Sequence, residues 1–322
     1  MRAVVIDHFG GPEALVIKEL PKPEPKAGHV TIQVKAFGLN HAEMHMRKGE
    51  WDEWMPVTGI ECVGIVSDCP DGQFPVGSKV AAVMGGMGRN IPGSYAEYTR
   101  VPASNVIQIE SALPWEELAA LPETYVCAWA CLFGILKVRR GQTVLIRGAT
   151  SSLGQAAVHL AVNAGAMVTA TTRKSERFPQ LRAMGASSVE IERPDMARDL
   201  GTKRFDAVLN LVGNSVLLES LTVVRRGGVL CQAGWLGGLE PIPAFNPMVQ
   251  MASGVHFSLF HSKVLGTADF PLSEVPLNDI ARQIEKGDWD AKPSQVFEFE
   301  NIREAHTMLD SGKANGKMVV RL

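Results

Sequence analysis

The sequence predicts an α/β protein of two domains, a β-rich domain and a domain built on a parallel sheet. Three observations predict it. The 322 residues exceed what one hydrophobic core usually serves. From Met1 to about Pro122, short strand patterns are broken by Gly and Pro. Past Leu121, strand and helix patterns alternate, as they do in parallel sheets with right-handed crossovers.

In the first region, residues 30–36 of "VTIQVKAFG" alternate apolar and polar side chains, the period of a half-buried strand. "CVGIVS", "KVAAVM" and "YAEYTRV" are further strands, separated by turn-rich stretches such as "CPDGQFPVGS". "TYVCAWACLFGIL" is a helical apolar segment where the character changes. Strands are then predicted at 143–146, 167–171, 188–191, 206–212 and 228–232. Between the first two, Leu153, Ala156, Ala157, Leu160, Ala161 and Ala164 follow the spacing of one buried helix face. Beyond about Ala268, two polar helices (278–286 and 301–312) are accompanied by strand patterns in "QVFEFE" and "GKMVVRL".

Bulk properties exclude several function classes. Hydrophobic residues make up 46% and charged residues 20%, an ordinary globular profile. The net charge of -2 without like-charge blocks offers no footprint for nucleic acid or an anionic membrane. No apolar run approaches the roughly 18 residues of a spanning helix. "MRAVVIDHFGG" lacks a secretory signal core, so a cytoplasmic location is expected. The five cysteines imply no disulfide framework. Cys127 and Cys131 share a helix face but find no second pair to complete a zinc site.

The informative stretch is "RGATSSLG", from Arg147 to Gly154, where a strand meets a helix. A Walker loop is excluded because Gln155, not lysine, follows Gly154. A nucleophile elbow is excluded because neither Ser151 nor Ser152 is flanked by the required glycines. A dinucleotide turn remains: small residues, an exposed backbone and a helix N-terminus to receive a pyrophosphate. Thr150, Ser151, Ser152, Leu153 and Gly154 are its predicted contacts, with Gly154 allowing the helix to approach the strand. An ordinary tight turn is the alternative. At the end of the next strand, an NAD site would carry an acid for the ribose 2′-hydroxyl. This chain has Thr172, Arg173, Lys174 and Arg177, a cationic set that favours the 2′-phosphate of NADPH over a merely solvated helix start.

In order along nearly the whole chain, "AFGLNHAEMHMRKG", "TGIECVGIV", "PVGSKVAAV", "GSYAEYTRVPA", "LPETYVCAWACL", "RGATSSLGQAAVHLAVNAGA", "FDAVLNLVGN", "RRGGVLCQAG" and "SGKANGKMVV" resemble the medium-chain dehydrogenase/reductase superfamily. The closest likeness is to its zinc-independent quinone oxidoreductase, zeta-crystallin-like branch. The resemblance implies a GroES-like catalytic domain made of both chain ends (1–121 and 266–322) and an inserted Rossmann domain (122–265). It also implies a homodimer. Where zinc-dependent relatives place a Cys and a His, this chain has Asn40 and Ile60, and the four-cysteine structural lobe is absent. No metal is therefore expected. Two departures bear on the substrate. Trp51 stands where enoyl reductases carry a tyrosine, and Glu43 and His45 replace the Asp and Tyr of "N-x-x-D-x-Y".

The resemblance also implies that Leu211, Val212, Gly213 and Asn214, then Ala233, Gly234 and Trp235, and finally Phe257, Ser258 and Leu259 flank the nicotinamide. Asn315 and Lys317 match further cofactor contacts in relatives. Asn40, His45 and Tyr125 are the candidate catalytic groups, His45 because imidazole titrates near neutral pH. Met44, Met46, Trp51 and Trp54 suggest an apolar substrate wall, or domain core. The expected activity is NADPH-dependent reduction of a small, hydrophobic conjugated carbonyl, a quinone or enone. The alternatives are an enoyl reductase on a thioester-bound biosynthetic substrate and a low-turnover NADPH-binding protein.

Overall fold

A computed structural model describes residues 1–322. Along the chain, β1 (Arg2–Ile6), β2 (Leu15–Glu19) and β3 (His29–Gly38) precede α1 (His41–Lys48). Then come β4 (Glu61–Asp68), β5 (Lys79–Val83), β6 (Tyr98–Pro102) and β7 (Val106–Gln108). Helices α2 (Trp115–Leu118) and α3 (Pro122–Trp129) lead through the π-helical turn Ala130–Ile135 to β8 (Thr143–Arg147). The alternating region follows: α4 (Ser152–Asn163), β9 (Met167–Thr172), α5 (Phe178–Ala183), β10 (Ser188–Ile191) and α6 (Met196–Asp199). It continues through β11 (Phe205–Asn210), α7 (Leu217–Thr222), β12 (Val224–Gln232), α8 (Pro247–Gln250) and β13 (His256–Leu259). The last elements are α9 (Leu277–Glu285), β14 (Gln295–Glu298), α10 (Ile302–Asp310) and β15 (Met318–Arg321).

Two units divide the chain, Met1–Val126 with Ser262–Leu322, and Cys127–His261. The first has the GroES-like β-rich architecture. Its seven-stranded sheet runs β14-β15-β3-β4-β5-β7, with β6 also on β3, and β1 pairs with β2. Strand β15 lies antiparallel to β3, with Val320 opposite Phe37. Alternation on β3 buries Val30, Ile32, Val34 and Ala36.

The second unit is a Rossmann domain with strand order β10-β9-β8-β11-β12-β13 and every pairing parallel. The order reverses between β8 and β11, where such sheets bind ligands beyond the strand carboxyl ends. Leu145, Phe205, Val208, Leu217, Leu221 and Leu230 fill one core face. On α4, Ala156, Ala157, Leu160 and Ala161 are buried as the spacing predicts.

Three details differ from the sequence reading. The strand predicted at 206–212 ends at Asn210, because the Asn210 Oδ1 captures the amides of Val212 (3.1 Å) and Gly213 (3.0 Å). Strands β1, β2, β7 and β13 are additional, and β13 is a short edge strand with exposed Phe257 and Leu259. The helical stretch Trp115–Ile135 is long and apolar enough to cross a membrane by composition alone. Its most apolar window is 72% buried inside the structure, the property of a core helix.

Candidate functional site

The turn after β8 is built by its own backbone requirements. Gly148 has φ +80°, where a side chain would be strained, and its carbonyl accepts the Ser151 amide (3.1 Å) and hydroxyl (2.8 Å). Ser151 is the N-cap of α4, its Oγ accepting the Gly154 amide at 3.1 Å. That hydroxyl is committed to the turn rather than free for a phosphate. A Cβ on Gly154 would stand 2.4 Å from the Gly148 carbonyl oxygen and 2.7 Å from the Ala149 Cα. Gly154 is thus where α4 closes on the strand. The amides of Ser152 and Leu153, in the first turn of α4, have no carbonyl within the helix to bond, and the helix dipole adds partial positive charge there. Thr150 presents its carbonyl to the Gln155 side chain at 3.0 Å.

At the end of β9, Thr172 is buried and its Oγ1 accepts the Lys174 amide at 3.3 Å. Arg173 and Lys174 are exposed, and Arg177 is half-buried in the short turn before α5. No acidic residue stands at 172–174. The loops after β11 and β12 are organised by two buried amides. Besides its two acceptor bonds, Asn210 donates to the Gly213 carbonyl (3.0 Å) and to Gln232 Oε1 (3.3 Å). Gln232 donates to Asn214 Oδ1 at 2.8 Å. Leu211 is buried and Val212 partly so; their carbonyls receive the amides of Leu236 (3.1 Å) and Gly237 (2.7 Å). Ala233, Gly234 and Trp235 are partly exposed on this second loop. Phe257, Ser258 and Leu259 continue the row on β13, opposite Leu230, Cys231 and Gln232.

In the β-rich unit, the structure gathers a buried charged cluster that sequence reasoning did not assemble. Lys317 Nζ bonds Glu61 Oε1 and donates to Asn40 Oδ1 at 2.6 Å. Asn40 Nδ2 donates to Glu61 Oε1 (3.0 Å) and Glu43 Oε1 (3.3 Å), so the orientation of its amide is fixed. Glu61 Oε2 accepts the Glu123 amide at 2.8 Å, in the first turn of α3. Glu43 accepts the amides of Asn40 (2.8 Å) and Ile60 (3.1 Å). Burial pushes the Glu43 carboxyl up to about 7, against the opposing pull of the Lys317 ammonium. Asn40 is the N-cap of α1 and Glu43 its third residue, a capping box that the string "NHAE" spells out. Lys317 is therefore buried and engaged, while Asn315 sits nearby in sequence on an exposed left-handed turn at φ +54°.

His45 and Tyr125 are the other two candidates. His45 Nδ1 shares a short hydrogen bond with Glu50 Oε2, and its ring stacks on Trp51 at 5.1 Å and 18°. The guanidinium of Arg89 covers Trp51, 4.4 Å from its ring centroid. Tyr125 is buried parallel to Trp289, 6.0 Å between centroids and 3° between planes. Burial raises its phenol well above the ordinary value. Met46 is fully buried and accepts a bond from the Thr58 hydroxyl, so it belongs to the core; Met44, Trp51 and Trp54 are only partly buried. No group of three or more His, Cys, Asp or Glu side chains is arranged to hold a metal ion.

Comparison with known proteins adds to this geometry. Residues 26–111 match the family model of the alcohol dehydrogenase GroES-like domain. Residues 184–320 match the model described as zinc-binding dehydrogenase. The places implied for zinc in this chain hold an amide already engaged by Lys317 and the alkyl side chain of Ile60, which do not fit a metal. Quinone oxidoreductase from Homo sapiens is 28% identical over 339 residues, covering 100% of this chain and 98% of that protein. Squalestatin tetraketide synthase clz2 from Cochliobolus lunatus is 28% identical over 91% of this chain, which spans 12% of that synthase. Among solved structures, Escherichia coli quinone oxidoreductase complexed with NADPH has a TM-score of 0.86 at 20% identity, over 100% of both chains. At that identity the likeness is one of fold.

Proposed function

Because the chain belongs to the medium-chain dehydrogenase/reductase superfamily, on its zinc-independent quinone oxidoreductase branch, we propose that it is an NADPH-dependent reductase of conjugated carbonyls. The observation that carries the cofactor choice is the pair of exposed cations, Arg173 and Lys174, closing a strand end where an acid would select NADH. The residues fit the group: Gly154 lets α4 approach the turn, and its first amides are available to a pyrophosphate. Arg173 and Lys174, with Arg177, would pair with the 2′-phosphate. Asn210 and Gln232 tie together the loops bearing Leu211, Val212, Gly213, Asn214, Ala233, Gly234 and Trp235, which would line the nicotinamide with Phe257, Ser258 and Leu259 beside them.

NADPH supplies the hydride; the chain supplies placement and a proton. With Nδ1 facing Glu50, His45 has Nε2 left to hand a proton to the reduced substrate. Trp51, held between His45 and Arg89, keeps the imidazole in place as a rigid aromatic support. Asn40 and Lys317 fix the start of α1, and with it the position of His45. The protein works as a homodimer in the cytoplasm in this reading.

A second reading is favoured by the match to a tetraketide synthase segment: an enoyl reductase acting on a thioester. Loss of nicotinamide absorbance over quinones, enones and acyl thioesters, with NADH as control, separates the two. Turnover of quinones and enones with NADPH supports the first reading. Turnover confined to thioesters supports the second, and binding without turnover would leave only an NADPH-binding protein.

A further inference from the structure

Beneath the phosphate turn lies an ion-pair cluster to which the function above gives no part. Arg147, the last residue of β8, is fully buried and bonds Glu192 through both Nη2 and Nε, the latter at 3.2 Å. Its Nη1 reaches Glu219 Oε2 (2.8 Å) and Ser220 Oγ (3.0 Å). Glu192 Oε2 accepts the Thr171 hydroxyl at 2.5 Å, and that same hydroxyl accepts the Gly148 amide at 3.0 Å. The neighbouring Ala149 amide bonds the Thr171 carbonyl at 3.0 Å. A continuous chain of bonds therefore runs from a buried guanidinium to the first residue of the turn. A buried ion pair is a weak source of stability, since an apolar set of similar volume often does as well. Its reach to one particular amide calls for another reason.

We propose that Arg147, Glu192 and Thr171 are positioning residues for the phosphate turn. The guanidinium holds Glu192 on the Thr171 hydroxyl, and the hydroxyl holds the Gly148 amide, setting the direction in which the following amides point. Arg147 also neutralises carboxylates that would otherwise repel a phosphate from the turn. The ligand side of this proposal rests on reading the turn as a dinucleotide site; the mechanical side does not.

The test uses Thr171→Val, which keeps the shape and deletes the hydroxyl, with Thr171→Ser as the rescue. Two readouts are taken on the whole protein: hydrogen exchange of amides 148–154 without cofactor, and NADPH affinity by fluorescence titration. Thr171→Val should speed exchange in the turn and weaken NADPH by about fivefold to tenfold, the range of one lost hydrogen bond. Thr171→Ser should restore both. Glu192→Gln should weaken NADPH less, and adding it to Thr171→Val should bring little more, because both act through one contact. A Thr171→Val protein with unaltered turn exchange and NADPH affinity overturns the proposal, as does a loss that serine fails to restore. If exchange responds as described while the unaltered protein binds neither NADPH nor NADH, the cofactor reading fails and the positioning stands.

Discussion

At the scale of single residues, cofactor preference is the sharpest test. Charge-assisted bonds to a 2′-phosphate exist only with NADPH, so Arg173→Ala should weaken NADPH by about tenfold or more and leave NADH nearly unchanged. Equal affinity of the unaltered protein for both cofactors would refute the clamp. His45→Gln should lower turnover by at least about 10²-fold if His45 is the acid, with NADPH affinity intact. Equal, small losses on an enone and a quinone would make it pocket wall. Stability against pH reports the buried cluster. Glu43, raised to about 7, binds its proton more tightly folded than unfolded, so its contribution is present at low pH and lost as pH rises toward 7. His306, buried against Tyr95 and lowered to about 3, works in the opposite sense: its contribution is lost as pH falls from 6.5 toward 3. Melting curves of the parent and Glu43→Gln should therefore differ by a term that declines with pH between about 4.5 and 7. A constant difference would remove Glu43 as its source. The cations at 173 and 174 were legible because a strand end fixes their place. The Glu43, Glu61 and Lys317 cluster was not, because charged residues read as surface until distant strands bring them together.

At the scale of elements, the strand-turn-helix from β8 to α4 was legible from periodicity and small residues. The division of labour within it was not. Smallness at Ser151 suggested a phosphate donor, yet the hydroxyl caps the helix, a competition between cap and ligand that composition cannot resolve. Ser151→Ala should cost about 1 kcal/mol of stability, measured by denaturant unfolding. Gly154→Ala is more severe, since the obstructing atoms are backbone and cannot rotate away. It should push α4 off the turn, weakening NADPH binding together with a loss of about 1–3 kcal/mol of stability. Binding and stability both at parent values would show that the turn tolerates a wider approach. The length of β11 was overread because an apolar run continues past its last ladder bond.

At the scale of the whole molecule, both architectures follow from patterning: alternation for the β-rich unit, strand-helix repetition for the parallel sheet. Metal chemistry is tested at this scale. An ammonium already bonded to Asn40 would repel a divalent cation there, so activity should survive exhaustive chelation, and elemental analysis should find no stoichiometric zinc. Zinc lost together with activity would overturn the branch assignment. The placing of β15 has one further consequence. It fills the gap between β14 and β3, yet the entire Cys127–His261 unit separates it in sequence from β3. During synthesis, β3 emerges from the ribosome long before the strand that covers the 36–38 end of its edge, the rest being paired by β6. The parallel-sheet unit, whose strands are all encoded together, is free to fold first. Until translation reaches residue 318, the nascent chain carries an open sheet edge, the feature that invites pairing with a neighbouring chain.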